Sequence, residues 1–415
     1  MTKINIVDSI MGSGKTSWAI QHINESPAMT KFIFITPYKT EIDRIIQNTT
    51  REFVQPIVEG RKNKLDSLKE AVAKGRNIVS THALFKRFDA ELIQLLEIEN
   101  YILILDEVID VIDEVKITKD DIKILINSVN QFGEPIVTVG ETGKVTWNDS
   151  GYDSGNFQSV RNAANAGNLV LFDETKMYWL LPTEIFEVFN QVYILTYMFE
   201  GQIQCYYYQL FGMDFRYKSV NKSEERGYYL EDYKGRHGEN RRHLKTLINI
   251  YNSSPQDNRD INKVGEKFNA FSKSNLSQRI KNQLYRNEIK KNSYNFYRHK
   301  IKCPTRQVIW TTFKDYQNIL VPIGLKKTFV PLNARATNEY AAATTCIYLA
   351  NRYMNPMIKR FFHYNDINVN EDKFAISELL QWIFRSAIRN GKSIDVYIPS
   401  NRMRKLLEMY LNNEI

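Results

Sequence analysis

The stretch KINIVDSIMGSGKT, residues 3–16, decides the fold, because it joins a short apolar strand, a glycine-rich turn and the start of a helix. In such a turn Gly12 and Gly14 let backbone N–H groups point at one centre, and the helix N-terminus adds a partial positive charge. The segment therefore predicts a phosphate-binding loop. Lys15 would reach the β- and γ-phosphates, and the Thr16 hydroxyl would be a ligand of Mg²⁺.

Four further apolar runs also end in a polar residue, namely Lys31–Thr36, Asn77–Thr81, Tyr101–Asp106 and Gln191–Thr196. Continuous apolar runs suit strands that are buried on both faces of a parallel sheet. The stretches between the first strands are long enough for crossover helices. In such sheets the ligand site lies at the carboxyl ends of the strands. We therefore expect an α/β fold with its polar strand ends at the site.

Two acids, Asp106 and Glu107, directly follow the apolar run YILIL. A carboxylate beside the phosphate-loop strand can hold the Mg²⁺ shell, and a neighbouring Glu can orient or deprotonate the attacking water. Alone, the pair would suggest only a solvated acidic turn. Together with the loop at 12–16 it predicts a nucleoside triphosphatase.

A helix is predicted near residues 373–389, with Gln381, Arg385 and Arg389 at spacing i, i+4, i+8. This spacing places all three side chains on one helical stripe, whereas the rest of the helix is apolar. A polar stripe on a mostly buried helix suggests a cleft, and arginine suits a γ-phosphate. The alternative is an amphipathic helix with solvated arginines.

The ordered motifs GSGKT, TPY, STH, DE, LTY and QxxxR…R resemble those of superfamily 2 helicases, most closely the small DEAD/DEAH-type enzymes of bacteriophages. The phosphate loop departs from the strict pattern, because Ser9 stands where the first glycine is expected. The resemblance implies two RecA-like domains with ATP and Mg²⁺ in the cleft between them. It assigns motif I to Gly12, Ser13, Gly14, Lys15 and Thr16, motif II to Asp106 and Glu107, and motif VI to Gln381, Arg385 and Arg389.

The same resemblance implies nucleic-acid contacts and a coupling residue. Thr196 would be the residue that couples ATP hydrolysis to movement of the nucleic acid. The contacts would come from Thr36, Pro37, Tyr38, Ser80, Thr81, His82, Thr311, Arg335 and Thr337. Hydroxyl groups at strand ends commonly bind phosphate oxygens, although Ser and Thr also cap helices and turns.

Two departures from the family pattern leave alternatives open. The second motif VI arginine stands eight residues after Gln381 rather than the usual seven, so either Arg385 or Arg389 could supply the arginine finger. Only 11 residues precede Gly12, which leaves little room for an adenine-reading motif upstream. The sequence therefore predicts triphosphate binding more firmly than a preference for ATP.

The chain has 415 residues and a net charge of +9, and the excess is localised. Residues 234–305 hold 17 Lys and Arg against five Asp and Glu, with interleaved aromatic residues. Cations with stacking rings suit a channel for single-stranded nucleic acid. A solvated helical segment whose rings form its own small core is the alternative.

These features define the predicted organisation. Residues 1–200 would form the first RecA-like domain, with an insertion at about 112–165. Residues 201–415 would form the second, with a basic and mainly helical insertion at about 234–305, and CYYYQL at 205–210 would be its first strand. Three widely spaced cysteines and the lack of a membrane-spanning run favour a cytoplasmic protein without membrane contact.

The functional prediction is an ATP-dependent nucleic-acid helicase or translocase. DNA is preferred to RNA, and the phage process would be replication, recombination or repair, with proteins of that process as candidate partners. A terminase-like packaging ATPase and a non-catalytic nucleic-acid-binding scaffold are the alternatives.

Overall fold

The computed structural model describes residues 3–415 except 59, 61–62, 237–238, 240, 254–258 and 334–338. Strands in the described chain are β1 Lys3–Asp8, β2 Lys31–Thr36, β3 Phe53–Val54, β4 Asn77–Thr81, β5 Tyr101–Asp106, β6 Ile112–Glu114, β7 Val137–Val139, β8 Val145–Trp147, β9 Leu169–Phe172, β10 Lys176–Leu180, β11 Gln191–Thr196, β12 Phe215–Ser223, β13 Gly227–Asp232, β14 Ile248–Ile250, β15 Val308–Thr311, β16 Thr345–Tyr348 and β17 Ile394–Tyr397.

Helices connect these strands. They are α1 Lys15–Glu25, α2 Lys39–Asn48, α3 Lys64–Ala73, α4 His82–Phe85, α5 Ala90–Glu99, α6 Lys119–Asn127, α7 Gln158–Asn165, α8 Glu184–Glu187, α9 Ile203–Leu210, α10 Arg242–Leu247, α11 Lys273–Arg279, α12 Gln283–Asn295, α13 Gln317–Leu320, α14 Pro356–Tyr364, α15 Glu371–Ile383 and α16 Asn401–Leu411. As far as the chain is described, none is long and apolar enough to cross a membrane.

The first sheet has the order β13-β12-β1-β11-β5-β2-β4-β3 in the described chain. Every neighbouring pair is parallel except β12 and β13, which form an antiparallel hairpin. The five apolar runs predicted as strands form strands with the predicted bounds. Their carboxyl ends, from Asp8 in β1 to Thr81 in β4, therefore meet along one edge of the sheet.

The first unit continues past the predicted boundary at residue 200. The run at 205–210, predicted as a strand, belongs to helix α9, whose residues Cys205–Tyr208 are all buried. A short apolar run is compatible with either element when it is buried on every side. The following strand β12 pairs with β1, so the first sheet extends to Asp232.

Residues 112–180 form a separate lobe inserted in the first unit. Its antiparallel sheet has the order β6-β10-β9, and β7 and β8 form a hairpin. Helices α6 and α7 pack with these strands around their own apolar core, which includes Leu125, Trp147 and Val160. The predicted surface excursion at 112–165 is therefore a small folded lobe that reaches β10.

The second sheet is parallel throughout, with the order β14-β17-β16-β15. Together with the first sheet it confirms the predicted class of two parallel-sheet, RecA-like units. The basic segment at 234–305 is mainly helical, as predicted. It also contributes the edge strand β14, and its apolar residues share a core with β15, β16 and β17. The segment is therefore a layer of the second unit.

Helix α14 joins the two units through apolar contacts. It lies between β16 and β17 in the chain, but Ile358, Phe361 and Phe362 pack in the core of the first unit. The rings of Phe362 and Tyr206 lie 5.8 Å apart. This contact helps to hold the carboxyl edge of the first sheet opposite α15 of the second unit.

Candidate functional site: the cleft between the two sheets

The glycine-rich turn uses the conformational freedom of its two glycines. Gly12 and Gly14 have φ values of 83° and 93°, in the left-handed region that favours glycine. Gly14 caps α1, and its carbonyl accepts from the backbone N–H of Trp18 at 2.8 Å. The first N–H groups of a helix have no partner within it. The turn therefore presents a row of donors at the end of β1.

Lys15, the first residue of α1, directs its side chain back to the loop. Its Nζ donates to the backbone carbonyls of Ser9 at 2.6 Å and Ile10 at 3.2 Å. Burial lowers the pKa of the Lys15 ammonium, and the nearby carboxylates of Glu107, Asp8 and Asp106 oppose this effect. A buried ammonium held by neutral carbonyls is suited to exchange them for an anion.

The acidic pair lies at the end of β5, which stands between β2, the strand that ends in Thr36, and β11, the strand that separates it from β1 and the phosphate loop. Burial and the neighbouring Glu107 raise the pKa of Asp106 to about 7, and the Thr36 hydroxyl, 3.3 Å from its Oδ2, acts in the opposite direction. Glu107 has a φ of 72°, which is a strained conformation for a residue with a Cβ. Such strain is often found at functional sites.

The second unit contributes Gln381, Arg385 and Arg389 to the same cleft, but not from one helix. Helix α15 ends at Ile383, and a short 3₁₀ helix covers residues 387–390. The Ser386 hydroxyl donates to the Ile383 carbonyl at 2.7 Å, which satisfies one of the last carbonyls of α15. The predicted stripe at i, i+4, i+8 is therefore wrong, although its three side chains do converge.

Arg385 is a buried cation with unused donors. Its exposure is 3%, and its Nε and Nη1 atoms have no hydrogen-bond partner among the described residues. Burial lowers the pKa of its guanidinium to about 10, although the nearby Tyr38, Glu378 and Glu107 act to raise this pKa. An isolated buried charge is costly unless it is paired. Arg385 is therefore suited to bind an anion in this cleft, in addition to its interactions with Glu378 and Glu107.

Residues from both units line one cavity of about 330 Å³. From the first unit they are Met11, Gly12, Gly14, Lys15, Thr16, Ser17, Glu41, Arg44, Asp106, Glu107 and Tyr228, and from the second Gln381, Phe384, Arg385, Arg389 and Asn390. Five polar members were missed in the sequence, and one of them, Ser17, directly follows the predicted set 12–16. Glu41 and Arg44 stand at i, i+3 on α2, just after TPY, and could have been found by that position. Tyr228 and Asn390 belong to no sequence motif that could have indicated them.

The residues and the cavity fit a nucleoside triphosphate with a divalent cation. Backbone donors, Lys15 and the unsatisfied Arg385 match a polyanion, and Thr16 with Asp106 offers the oxygen ligands that Mg²⁺ prefers. The predicted binding set Gly12–Thr16 and the predicted metal ligands all lie in or beside this cavity. Their roles stay predictions.

The residues predicted to contact nucleic acid differ in how far their side chains are buried. The side chains of Thr36, Ser80 and Thr311 are buried, so in this conformation they support the strand ends and do not reach a ligand surface. His82 is buried, and its Nε2 lies 3.1 Å from the Asp106 carbonyl, which ties it to the acidic pair. Pro37, Tyr38 and Thr81 are partly exposed. Arg335 and Thr337 lie outside the described residues.

Thr196, the predicted coupling residue, is buried beneath the phosphate loop. Its carbonyl accepts from the Ser9 N–H at 3.2 Å, and its hydroxyl donates to Gln202 at 3.1 Å. Beside it lies an ionic cluster that the sequence did not reveal. Arg236, from the connection between the sheets, binds both carboxylate oxygens of Asp8 at 3.0 and 2.7 Å and pairs with Glu200 and Glu239.

The basic segment presents cations but few exposed rings. Phe271, Tyr285, Phe296 and Tyr297 are buried in the core of the second unit, as the helical-core alternative required. Phe268 is 70% exposed. Exposed cations among the described residues of the segment are Lys234, Arg242, Lys245, Arg259, Lys263, Lys267, Lys273, Arg279, Lys281, Lys291, Arg298, Lys300 and Lys302. The described geometry therefore favours charge rather than stacking as its means of contact.

Comparison with known proteins finds a full-length relative. The chain is 38% identical over 426 residues to the SPbeta prophage-derived uncharacterized protein YonV of Bacillus subtilis (strain 168), with all of both chains covered. Residues 112–179 match the YonV middle domain, and residues 242–411 match the YonV C-terminal Rossmann-like domain.

Two solved structures of helicases are similar at low identity. One is described as XPD helicase, with a TM-score of 0.42 and 11% identity over 99% of this chain and 95% of that chain. The other is the DUF1998 helicase MrfA bound to DNA and AMPPNP, with a TM-score of 0.38 and 11% identity over 99% of this chain and 48% of that chain.

Proposed function

The chain belongs to the YonV family, and we propose that it is an ATP-dependent nucleic-acid helicase or translocase acting on DNA. One observation carries the proposal. The phosphate loop and acidic pair of the first sheet share a cavity with Arg385, a buried arginine of the second sheet whose Nε and Nη1 lack partners among the described residues. A site completed by two sheets can couple its occupant to their relative position.

Each residue has a proposed role in triphosphate hydrolysis. The N–H groups of residues 12–16 and Lys15 bind phosphate oxygens, and Thr16 and Asp106 hold Mg²⁺, which neutralises the charge that develops on the phosphates. Glu107 orients and deprotonates the attacking water. Arg385 binds the terminal phosphate from the opposite side, and Gln381 and Arg389 line the same cavity. Loss of that phosphate removes the anion that holds Arg385 against the first sheet.

Movement of the bound nucleic-acid strand would follow from this change in the cleft. Thr196 bonds the phosphate loop through its carbonyl and lies next to Tyr197, whose hydroxyl donates to Glu239 of the connecting segment at 2.7 Å. A shift at the phosphate loop can therefore reach the connection between the sheets through two residues. The relative's description as prophage-derived supports DNA as the substrate, in replication, recombination or repair.

The first experiment measures ATP turnover with and without single-stranded DNA and RNA. Stimulation by DNA, with loss of turnover in Lys15→Ala, is expected. Lack of stimulation by either polymer would refute the motor. Unwinding of duplexes with 3′ or 5′ tails then separates a helicase from a translocase. Cleavage of plasmid DNA would instead favour the packaging ATPase, and DNA function retained in Lys15→Ala would favour the scaffold.

The second experiment tests the basic segment with the variant Lys267→Glu, Lys281→Glu, Lys291→Glu. All three side chains are exposed, so folding should be preserved. Binding to single-stranded DNA should weaken, and the slope of log K against log salt should become shallower by about 0.7 for each phosphate that the variant no longer neutralises. The matched control reverses the exposed Lys74, Lys119 and Lys123 of the first unit and its lobe. Equal weakening in both variants would show that net charge alone matters.

A further inference from the structure

The β12–β13 hairpin is fastened to the phosphate loop at two points. The backbone N–H of Val220 in β12 donates to the Ser9 hydroxyl at 2.8 Å. Ser9 is the residue that replaces the first glycine of the loop pattern, so this departure has a structural use. At the turn of the hairpin, Gln21 of α1 accepts from the Tyr228 N–H and donates to the Arg226 carbonyl, both at 2.8 Å.

These bonds hold the ring of Tyr228 against the loop. A Cβ added at Gly14 would overlap the Cε1 edge of this ring, so the two groups are in close contact. Tyr228 is half-buried and lines the same cavity as Lys15, Arg385 and Asn390. The Nζ of the exposed residue Lys222 lies 5.2 Å from the ring centroid. One face of the ring is therefore covered by a lysine with an exposed side chain.

The order of the strands indicates how a bound nucleotide would be oriented in the cavity. On one side of β1 lie β11 and β5, and β5 ends in the acidic pair that would face the terminal phosphate and its Mg²⁺. On the other side lie β12 and β13, with Tyr228. A triphosphate chain that is bound by the loop and directed toward Asp106 has its opposite, nucleoside end on the side of the hairpin.

We propose that Tyr228 forms the nucleoside subsite of this cavity and stacks on the base of the bound nucleotide. The inference rests on the proposed function and deepens it. An aromatic ring that stacks does not read the hydrogen-bonding edge of a base, because every base has a π-face. The subsite should therefore accept several nucleoside triphosphates and favour purines, which offer the larger face.

The experiment compares two ligands that differ in the nucleoside, with Mg²⁺ present throughout. Calorimetry measures the binding of ADP and of inorganic tripolyphosphate to the full-length chain and to Tyr228→Ala and Tyr228→Phe. We expect Tyr228→Ala to weaken ADP binding about tenfold, the effect of removing one stacked ring, and to leave tripolyphosphate binding unchanged. Tyr228→Phe should retain both affinities. Tyr229→Ala is the matched control, since alternate residues of a strand face opposite sides.

Each other outcome has a definite meaning. If Tyr228→Ala weakens both ligands equally, the ring only supports the phosphate loop and the inference is wrong. If it strengthens both, the ring covers the site and the inference is also wrong. If the unmodified chain binds both and Tyr228→Ala changes neither, only the inference fails. If the unmodified chain binds neither ligand, the proposed function fails with it.

Discussion

Replacing Arg385 with methionine should stabilise the folded chain and abolish ATP turnover at the same time. Burial lowers the pKa of this guanidinium from its usual 12.5 to about 10. A cation whose pKa is lower in the folded than in the unfolded state opposes folding at neutral pH. At about 1.4 kcal/mol for each pKa unit, the cost is on the order of 3 kcal/mol. Methionine keeps most of the volume and removes the charge.

Thermal unfolding without nucleotide measures the first effect. A gain of even half that amount corresponds to a rise of about 3–6 °C in Tm for a unit of roughly 200 residues. Steady-state turnover measures the second effect. Loss of an arginine that stabilises the transferring phosphoryl group costs about a thousandfold or more in kcat. Added nucleotide with Mg²⁺ should also raise the Tm of the variant less than that of the unmodified chain.

Arg402 provides the matched control, because it is equally buried but fully bonded. Its Nε and Nη2 donate to Asp372 at 3.0 and 2.6 Å, and its Nη1 donates to Asn351 at 2.9 Å. Arg402→Met should therefore lower the Tm, since it removes the donor to the buried side-chain oxygen of Asn351 and the ion pair with Asp372. If Arg385→Met lowered the Tm in the same way and kept its turnover, the idea that Arg385 is held in readiness for an anion would be refuted.

Two other substitutions test neighbouring parts of the cleft. Glu107→Gln should retain nucleotide binding but lose turnover, as measured by calorimetry beside a phosphate-release assay, and unchanged turnover would exclude Glu107 as the base. Arg236→Met should lower the free energy of unfolding by about 3–5 kcal/mol, because it leaves the buried Asp8 carboxylate unpaired. The double variant Asp8→Asn, Arg236→Met should recover part of that lost free energy of unfolding, as measured by urea unfolding. If it recovered none, the loss in Arg236→Met would not come from the unpaired Asp8 carboxylate.

The strands around the phosphate loop could be predicted from sequence because their signal is local. Each is a continuous apolar run that is buried on both faces and ends in a polar residue, and the parallel topology brings those ends to one edge. The same edge explains why Lys15, Asp106 and Glu107 were found together. Their motifs are defined by the strands that carry them.

The missed features depend on contacts between segments that are distant in the chain. Tyr228 reaches the phosphate loop only because β12 pairs with β1, and the sequence of β12, FRYKSVNKS, gives no indication of its partner. Arg236 looked like one cation of a basic segment, but most of its guanidinium donors are used inside the protein by Asp8, Glu200 and Glu239. Charge counting cannot separate such internal ion pairs from cations that face a ligand.

The end of α15 explains how the two arginines that the resemblance assigns to motif VI can have an unusual spacing. In an uninterrupted helix, residues 381 and 389 would lie about 12 Å apart along the axis, which is too far for both ends of the stripe to face one terminal phosphate. Because α15 ends at Ile383 and the chain turns through the 3₁₀ helix at 387–390, Arg389 returns to the cavity that Arg385 lines. Once the helix has ended, its periodicity no longer constrains the spacing. Under the proposed function, the buried Arg385, with its unused donors, is then a better candidate for the arginine finger than the half-exposed Arg389.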